Sequence, residues 1–206
     1  MKKIMFNDRY GLTRAVLEGR KTMTRRIAYT GEVVKPNSGY LTESNERGTC
    51  VLCDGDLIIA KSFYKVGEVV AVAQNYEDVG NVKYFPGEGK WHCEKEAGWK
   101  NKMFVKACLM PHQIRITNIY VERLQNISDE DCLREGIWKD NEGGRVIGFP
   151  IGIPFYYTFD GAVRDGKQLH WTKPKEAFAA LIDKVSGKGT WASKPWVFMY
   201  EFELVK

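Results

Sequence analysis

The chain lacks any long hydrophobic run. No stretch approaches the roughly 18 consecutive apolar residues that a membrane-spanning helix requires. The first residues, Met-Lys-Lys-Ile-Met-Phe-Asn-Asp, become charged again before the apolar part of a secretory signal peptide could form. We therefore expect a cytoplasmic protein with no membrane partner.

Cysteine is scarce, and its number is odd. Five cysteines in a chain with no expected export signal argue against a disulfide framework. Cys50 and Cys53 form a C-x-x-C pair, and Cys93 and Cys108 lie further along, so the ligand types of a zinc site are present. Because the spacing to the second pair is not a recognised one, we expect ordinary reduced thiols, with zinc at these four cysteines as the minor alternative. We expect no cofactor.

The familiar catalytic signatures are also missing. The sequence has no G-x-S-x-G elbow, no P-loop, no H-E-x-x-H and no G-x-G-x-x-G after a strand. The three histidines, at 92, 112 and 170, lie in or beside predicted loops, and nothing nearby completes a catalytic triad. Standard hydrolase, ATPase and dehydrogenase functions therefore lose their support.

What the sequence does have is an uneven distribution of charge. The whole chain carries a net charge of +5, but its first 26 residues hold eight basic and two acidic side chains, and the remaining 180 residues net to −1. This pattern indicates an anionic partner near the N-terminus. The 44% of hydrophobic residues is enough for one sizeable core, so we expect a single domain over residues 1–206.

The hydrophobic periodicity predicts strands separated by isolated helices. Strands are expected at 69–73, 113–124 and 196–204, and helices at 7–19, from Ser128 to about Glu135, and at 175–185. On the last strand, Trp196, Phe198, Tyr200, Phe202 and Leu204 are expected to share one face. Residues 28–65 and 139–172 lack a sustained period and are interpreted as insertions, the first with one short strand at 57–60. This order favours an α+β fold built on a small mixed or antiparallel β-barrel.

The most distinctive stretch lies at the end of the first predicted helix. It reads Leu17-Glu18-Gly19-Arg20-Lys21-Thr22-Met23-Thr24-Arg25-Arg26. This stretch resembles the signature G-x-K-x-x-T-x-R of the ASCH domain family, in its phage-type and bacterial form. The segments 66–75, 111–138 and 174–205 follow in the order that the resemblance expects. The resemblance implies a PUA-like fold, a small mixed β-barrel with flanking helices, and a relation to domains that bind RNA and modified nucleosides.

The first function that the resemblance implies is binding of RNA or of a modified nucleoside in a basic cleft. In this interpretation Arg20, Arg25 and Arg26 contact phosphates. Tyr76 follows the strand that borders the family's cleft, so it is a candidate for stacking on a base. Packing against the protein is the alternative for this side chain.

A second function comes from one branch of the family, which resembles an amidohydrolase that removes the acetyl group from N(4)-acetylcytidine. Its catalytic residues correspond to Lys21, Thr24 and Glu135. A threonine hydroxyl attacks an amide only when a base takes its proton, and a lysine serves as that base when its pKa falls well below about 10.4. Burial and the neighbouring arginines lower that pKa, whereas Glu135 raises it, and the sequence leaves the balance open. Ribonuclease activity and a phage interaction protein with a degenerate cleft are further alternatives.

Overall fold

The structure is a computed structural model that describes residues 1–28, 42–46, 49–54, 57–79, 84–85, 90–91, 101–140 and 156–205 of the 206-residue chain. The strands are β1 (Lys3–Ile4), β2 (Met23–Ile27), β3 (Thr42–Glu46), β4 (Thr49–Asp54), β5 (Leu57–Lys61), β6 (Val69–Val72), β7 (Tyr84–Phe85), β8 (Lys90–Trp91), β9 (Gln113–Arg123), β10 (Trp138–Asp140), β11 (Tyr156–Thr158), β12 (Val163–Arg164), β13 (Lys167–Gln168) and β14 (Trp196–Leu204). The helices are α1 (Leu12–Leu17), α2 (Tyr76–Val79), α3 (Asp129–Arg134) and α4 (Pro174–Ser186). In the described ranges no helix has the length and apolar character needed to cross a membrane.

The centre of the fold is a five-stranded mixed sheet with the order β1-β6-β9-β14-β2. β1 runs parallel to β6, and the other neighbouring strands are antiparallel. The α+β class is therefore confirmed. Across the part of the chain that the structure describes, the strands do not close into a barrel. The structure therefore supports an α+β fold with a mixed sheet, without the predicted barrel.

The strand β9 follows its predicted alternation only up to Ile116, because after the β-bulge Ile119 is buried and Tyr120 is exposed. Phe198, Tyr200 and Phe202 on the expected face of β14 are buried. Val197 and Met199 on its other face are buried as well, so this part of β14 is covered on both faces. A β-bulge between Glu201 and Phe202 shifts the register with β9.

Two glycines explain where the helices begin and end. The predicted helix at 7–19 is divided into a 3₁₀ turn (Asp8–Tyr10) and α1, because Gly11 between them has a left-handed backbone with φ of +62°. A Cβ at this position would meet the Asp160 carboxylate at 2.1 Å, so only glycine fits. α3 begins as predicted, with the Ser128 hydroxyl accepting a hydrogen bond from the Asp131 amide at 3.0 Å. It ends at Gly136, whose φ is +107°.

The first insertion contains more structure than its composition predicts. β3, β4 and β5 form an antiparallel sheet, of which only a strand at 57–60 was expected. Cys50, Leu52 and Ala60 from this sheet pack into the main core. In the second insertion, β10 pairs with β11, and β12 and β13 form a hairpin. Both insertions therefore contribute strands to the fold.

Candidate functional site

A cleft of about 250 Å³ lies between β2, the segment that follows β1, and α4. Its polar wall comes from the loop before β2, from β2 itself and from the C-cap of α3. Its apolar wall includes three side chains of the last turns of α4. The lining residues on which the argument depends are Lys21, Thr24, Arg25, Arg26, Glu135, Met5, Phe6, Leu181, Ile182 and Val185.

Lys21 lies at the inner end of the cleft and is almost completely buried. After α1, Gly19 adopts a φ of +73° and the Lys21 amide donates to the Ala15 carbonyl, which directs the chain back towards the protein. The Lys21 ammonium then donates to the Glu135 carboxylate at 2.6 Å and to the Glu135 backbone carbonyl at 2.7 Å. Two of the three catalytic residues implied by the resemblance are therefore in direct contact.

The structure answers the question of the lysine's pKa that the sequence leaves open. Burial lowers the pKa of Lys21, whereas the charge of Glu135 and its hydrogen bond raise it. Arg26 and Arg25 lower it further, and the net result lies below the ordinary value of 10.5. Burial therefore outweighs the ion pair, and the neutral amine becomes easier to reach than on an exposed lysine.

Arg25 is held by three carboxylates. Its guanidinium contacts Glu122 at 2.7 Å, Asp131 at 3.0 Å and Glu135 at 3.2 Å, and its side chain is 1% exposed. Burial opposes the charged form, but the carboxylates together raise the pKa of Arg25 above its ordinary value. Although Arg25 lines the cleft, its donors are directed at these acids, so the expectation of a phosphate contact does not fit this arrangement.

Thr24 lies on the opposite face of β2 from Arg25. Its backbone pairs with Tyr200 of β14, and its side chain is buried in the wall of the cleft. None of the described residues hydrogen-bonds to its hydroxyl, and neither Lys21 nor Glu135 is within hydrogen-bond distance of it. The third implied catalytic group thus shares the cleft but does not contact the ion pair.

Among the cations that line the cleft, Arg26 is paired with no carboxylate of the described residues. It is half-buried and donates one hydrogen bond to the Met5 carbonyl at 2.5 Å, and its guanidinium lies 5.9 Å from the centre of the Phe6 ring. No carboxylate in the described ranges lies within ion-pair distance of it. Its place in the cleft therefore fits an anion-binding role.

The other two residues expected to bind nucleic acid lie elsewhere. Arg20 pairs with Glu18 at 2.6 Å on the surface and does not line the cleft. Tyr76 begins α2 and packs against a small separate cluster that includes Val105 and Met110. This contact fits the packing alternative for Tyr76, and stacking on a base stays a prediction.

The basic N-terminal segment is largely neutralised by folding. In the described residues, the basic side chains of this segment form the ion pairs Lys2–Glu68, Arg14–Glu18, Arg20–Glu18, Lys21–Glu135 and those of Arg25 with Glu122, Asp131 and Glu135. A continuous phosphate-binding strip, as the local sequence indicated, is therefore not formed. Sequence reasoning missed Glu122 and Asp131, because nothing in a local pattern links them to a residue about 100 positions away.

Of the four candidate zinc residues, the structure describes three, which lie on β4 and in a 3₁₀ turn. Cys50 and Cys53 are three residues apart on β4, so their side chains point to opposite faces of the sheet. Cys108 is exposed in a 3₁₀ turn, and Cys93 lies outside the described residues. A search of the described residues for three or more His, Cys, Asp or Glu side chains around a common metal position finds no such group.

No family model matches the chain, and no match was found among curated proteins or solved structures. The function of the cleft is therefore argued from its residues and their geometry.

Proposed function

We propose that the protein binds a modified nucleoside, free or as a unit of RNA, in the cleft beside β2. One observation carries this proposal: a single cleft brings together the buried Lys21–Glu135 pair, the unengaged Thr24 hydroxyl and the Arg26 guanidinium. Its volume of about 250 Å³ lies just below the range of about 300–1,000 Å³ that small-molecule sites occupy. A space of this size favours a single nucleoside inside the cleft, and any further units of an RNA would lie outside it.

The two walls of the cleft match the two sides of a substituted base. The Thr24 hydroxyl both donates and accepts hydrogen bonds, so this wall complements the polar edge of a base. Leu181, Ile182 and Val185 on α4 form the opposite apolar wall. A base with an apolar substituent satisfies both walls at once.

The PUA-like form of the fold is part of the same proposal. β1 and β2 are the two edge strands of the central sheet, yet Arg26 of β2 donates to the Met5 carbonyl directly after β1. The rings of Phe6 and Phe202 also lie 5.7 Å apart. The contact of Arg26 with Met5 links the two edges of the sheet, and it supports the proposed barrel-like form.

Calorimetric titration of the protein with N(4)-acetylcytidine and cytidine tests the binding function. Val185→Trp places a large ring at the exposed end of the apolar wall, whereas Lys184→Trp puts the same ring on the neighbouring exposed residue, which does not line the cleft. We expect one site per chain and at least about tenfold weaker binding in Val185→Trp, with Lys184→Trp unchanged. Absence of binding to the wild type, or equal effects of both variants, would contradict the proposal.

Amide hydrolysis is the second candidate, and the lowered pKa of Lys21 favours it. In this reaction Thr24 Oγ1 attacks the amide carbonyl while its proton moves to the neutral Lys21 amine. The C–N bond then breaks, the leaving amine takes the proton back, and water hydrolyses the acyl ester on Thr24. Because Thr24 and Lys21 are not hydrogen-bonded to each other, one of the two side chains must first change rotamer. Release of cytidine from N(4)-acetylcytidine measures this activity directly.

A further inference from the structure

The basic residues of the cleft differ in how far their charge is already neutralised by carboxylates of the protein. Lys21 uses two of its three N–H donors on the carboxylate and the backbone carbonyl of Glu135, and Arg25 is surrounded by three carboxylates. Arg26 has five N–H donors, of which the described structure uses one, on the Met5 carbonyl. The charge that this part of the cleft offers to a ligand is therefore concentrated on one guanidinium.

The surroundings of Arg26 also favour an anion. It lies in the cleft wall next to the Phe6 ring and two residues after Thr24, so it is partly shielded from solvent. Hydrogen bonds from an ionised donor in such a place are stronger than those between neutral groups. A guanidinium with adjacent free donors also matches the oxygens of a phosphate in a bidentate arrangement.

From this we infer that the ligand of the cleft carries a phosphate, which Arg26 binds, so that a nucleotide is preferred to the corresponding nucleoside. This inference rests on the proposed nucleoside-binding function and specifies its ligand class. The phosphate belongs either to a free nucleoside monophosphate or to the backbone of an RNA, and both have the same chemistry at Arg26.

Calorimetric titration with N(4)-acetylcytidine and with its 5′-monophosphate tests the inference. The wild type is expected to bind the monophosphate about 10- to 100-fold more tightly, as hydrogen bonds to a charged group imply. Arg26→Gln should bind the nucleoside and the monophosphate with equal affinity, whereas Arg26→Lys, which keeps the charge, should retain part of the preference for the monophosphate. Arg20→Gln removes the same charge outside the cleft and should behave as the wild type.

The possible failures are distinguishable. Equal binding of nucleoside and monophosphate by the wild type, or a preference that survives in Arg26→Gln, overturns the phosphate site but leaves nucleoside binding intact. If neither compound binds, the proposed function fails and the inference fails with it. Circular dichroism and thermal unfolding check that Arg26→Gln is folded. If it is not folded, the preference of Arg26→Lys for the monophosphate is the second test of the phosphate site.

A trinucleotide with N(4)-acetylcytidine at its centre identifies the source of the phosphate. Tighter binding of the trinucleotide than of the monophosphate assigns the phosphate to RNA, and the reverse order assigns it to a free nucleotide. Both results support the site provided that Arg26→Gln removes the preference for the phosphorylated ligand.

Discussion

Lys21 and Glu135 lie 114 residues apart in the chain and form an ion pair in which both side chains are almost fully buried. The second carboxylate oxygen of Glu135 accepts from Arg25 at 3.2 Å, so one acid holds two cations. The pair thereby joins the start of β2 to the end of α3 and fixes the inner end of the cleft before any ligand binds. The same contacts that could position a catalytic lysine also hold the fold together.

The first prediction concerns the stability that Glu135 provides. Glu135→Gln leaves two buried cations without their shared charge, and breaking a buried pair in this way costs about 3–5 kcal/mol of the free energy of unfolding. Urea unfolding measures the loss. Glu203→Gln is the matched control, because its pair with Arg115 is exposed and is worth about 0.2–1 kcal/mol. Similar losses in the two variants would show that the Glu135 contacts contribute no more than a surface pair.

The second prediction separates folding from ligand binding at Arg25. Arg25→Met leaves three carboxylates close together without their cation, and we expect a loss of about 3 kcal/mol or more in the free energy of unfolding. Arg115→Met, which removes an exposed arginine, should cost less than about 1 kcal/mol. A stable Arg25→Met protein with weakened phosphate binding would contradict the structural role of Arg25 and would support the original expectation that Arg25 contacts a phosphate.

Local patterns predicted the elements that depend only on residues close to one another in the sequence. The buried face of β14, the first half of β9 and the Ser128 cap of α3 are such cases, and the structure confirms them. The break at Gly11 was missed because it depends on the approach of Asp160, about 150 residues away. The sheet of β3, β4 and β5 was missed because polar and glycine-rich segments surround its short strands.

For the site, the sequence predicted the run that contains Lys21, Thr24 and Arg26, but not the roles within it. Which of the cations stays available depends on where Glu122, Asp131 and Glu135 lie after folding. The net charge of the sequence counts these side chains but does not show which of them form ion pairs. Only the tertiary structure distinguishes the half-buried Arg26 from the neutralised Arg25 one position earlier.

The third prediction is a pH dependence of stability from Lys21. Because burial lowers its pKa in the folded protein, the unfolded chain binds more protons between that lowered value and 10.5. The free energy of unfolding contributed by this group therefore rises with pH across that window. Urea unfolding from pH 7 to 10 should show a steeper rise, or a smaller fall, for the wild type than for Lys21→Met. Identical pH profiles would mean that the pKa of Lys21 is not lowered.

The fourth prediction concerns the thiols. Burial raises the pKa of Cys132 to about 12, so its thiolate is scarce at pH 8, whereas Cys108 is exposed. Iodoacetamide labelling followed by peptide mass spectrometry should modify Cys108 rapidly and Cys132 only under unfolding conditions. The raised pKa also means that Cys132 stabilises the folded state below pH 9 and that this contribution is lost as the pH rises towards 12. Equal labelling rates in the native protein would show that α3 does not enclose this thiol.

The last prediction uses Thr24 to distinguish binding from turnover. Thr24→Val keeps the shape of the side chain and removes the hydroxyl, and since no described residue hydrogen-bonds to that hydroxyl, the fold should lose little stability. If Thr24 is the nucleophile, cytidine release from N(4)-acetylcytidine falls to background in Thr24→Val and partly returns in Thr24→Ser, while both variants still bind the nucleoside. Thr117→Val, at an exposed position on β9, controls for the loss of a threonine hydroxyl. Release that persists in Thr24→Val rules out covalent catalysis by this residue. If the wild type releases no cytidine but binds the nucleoside, the buried Lys21–Glu135 pair serves recognition and stability alone.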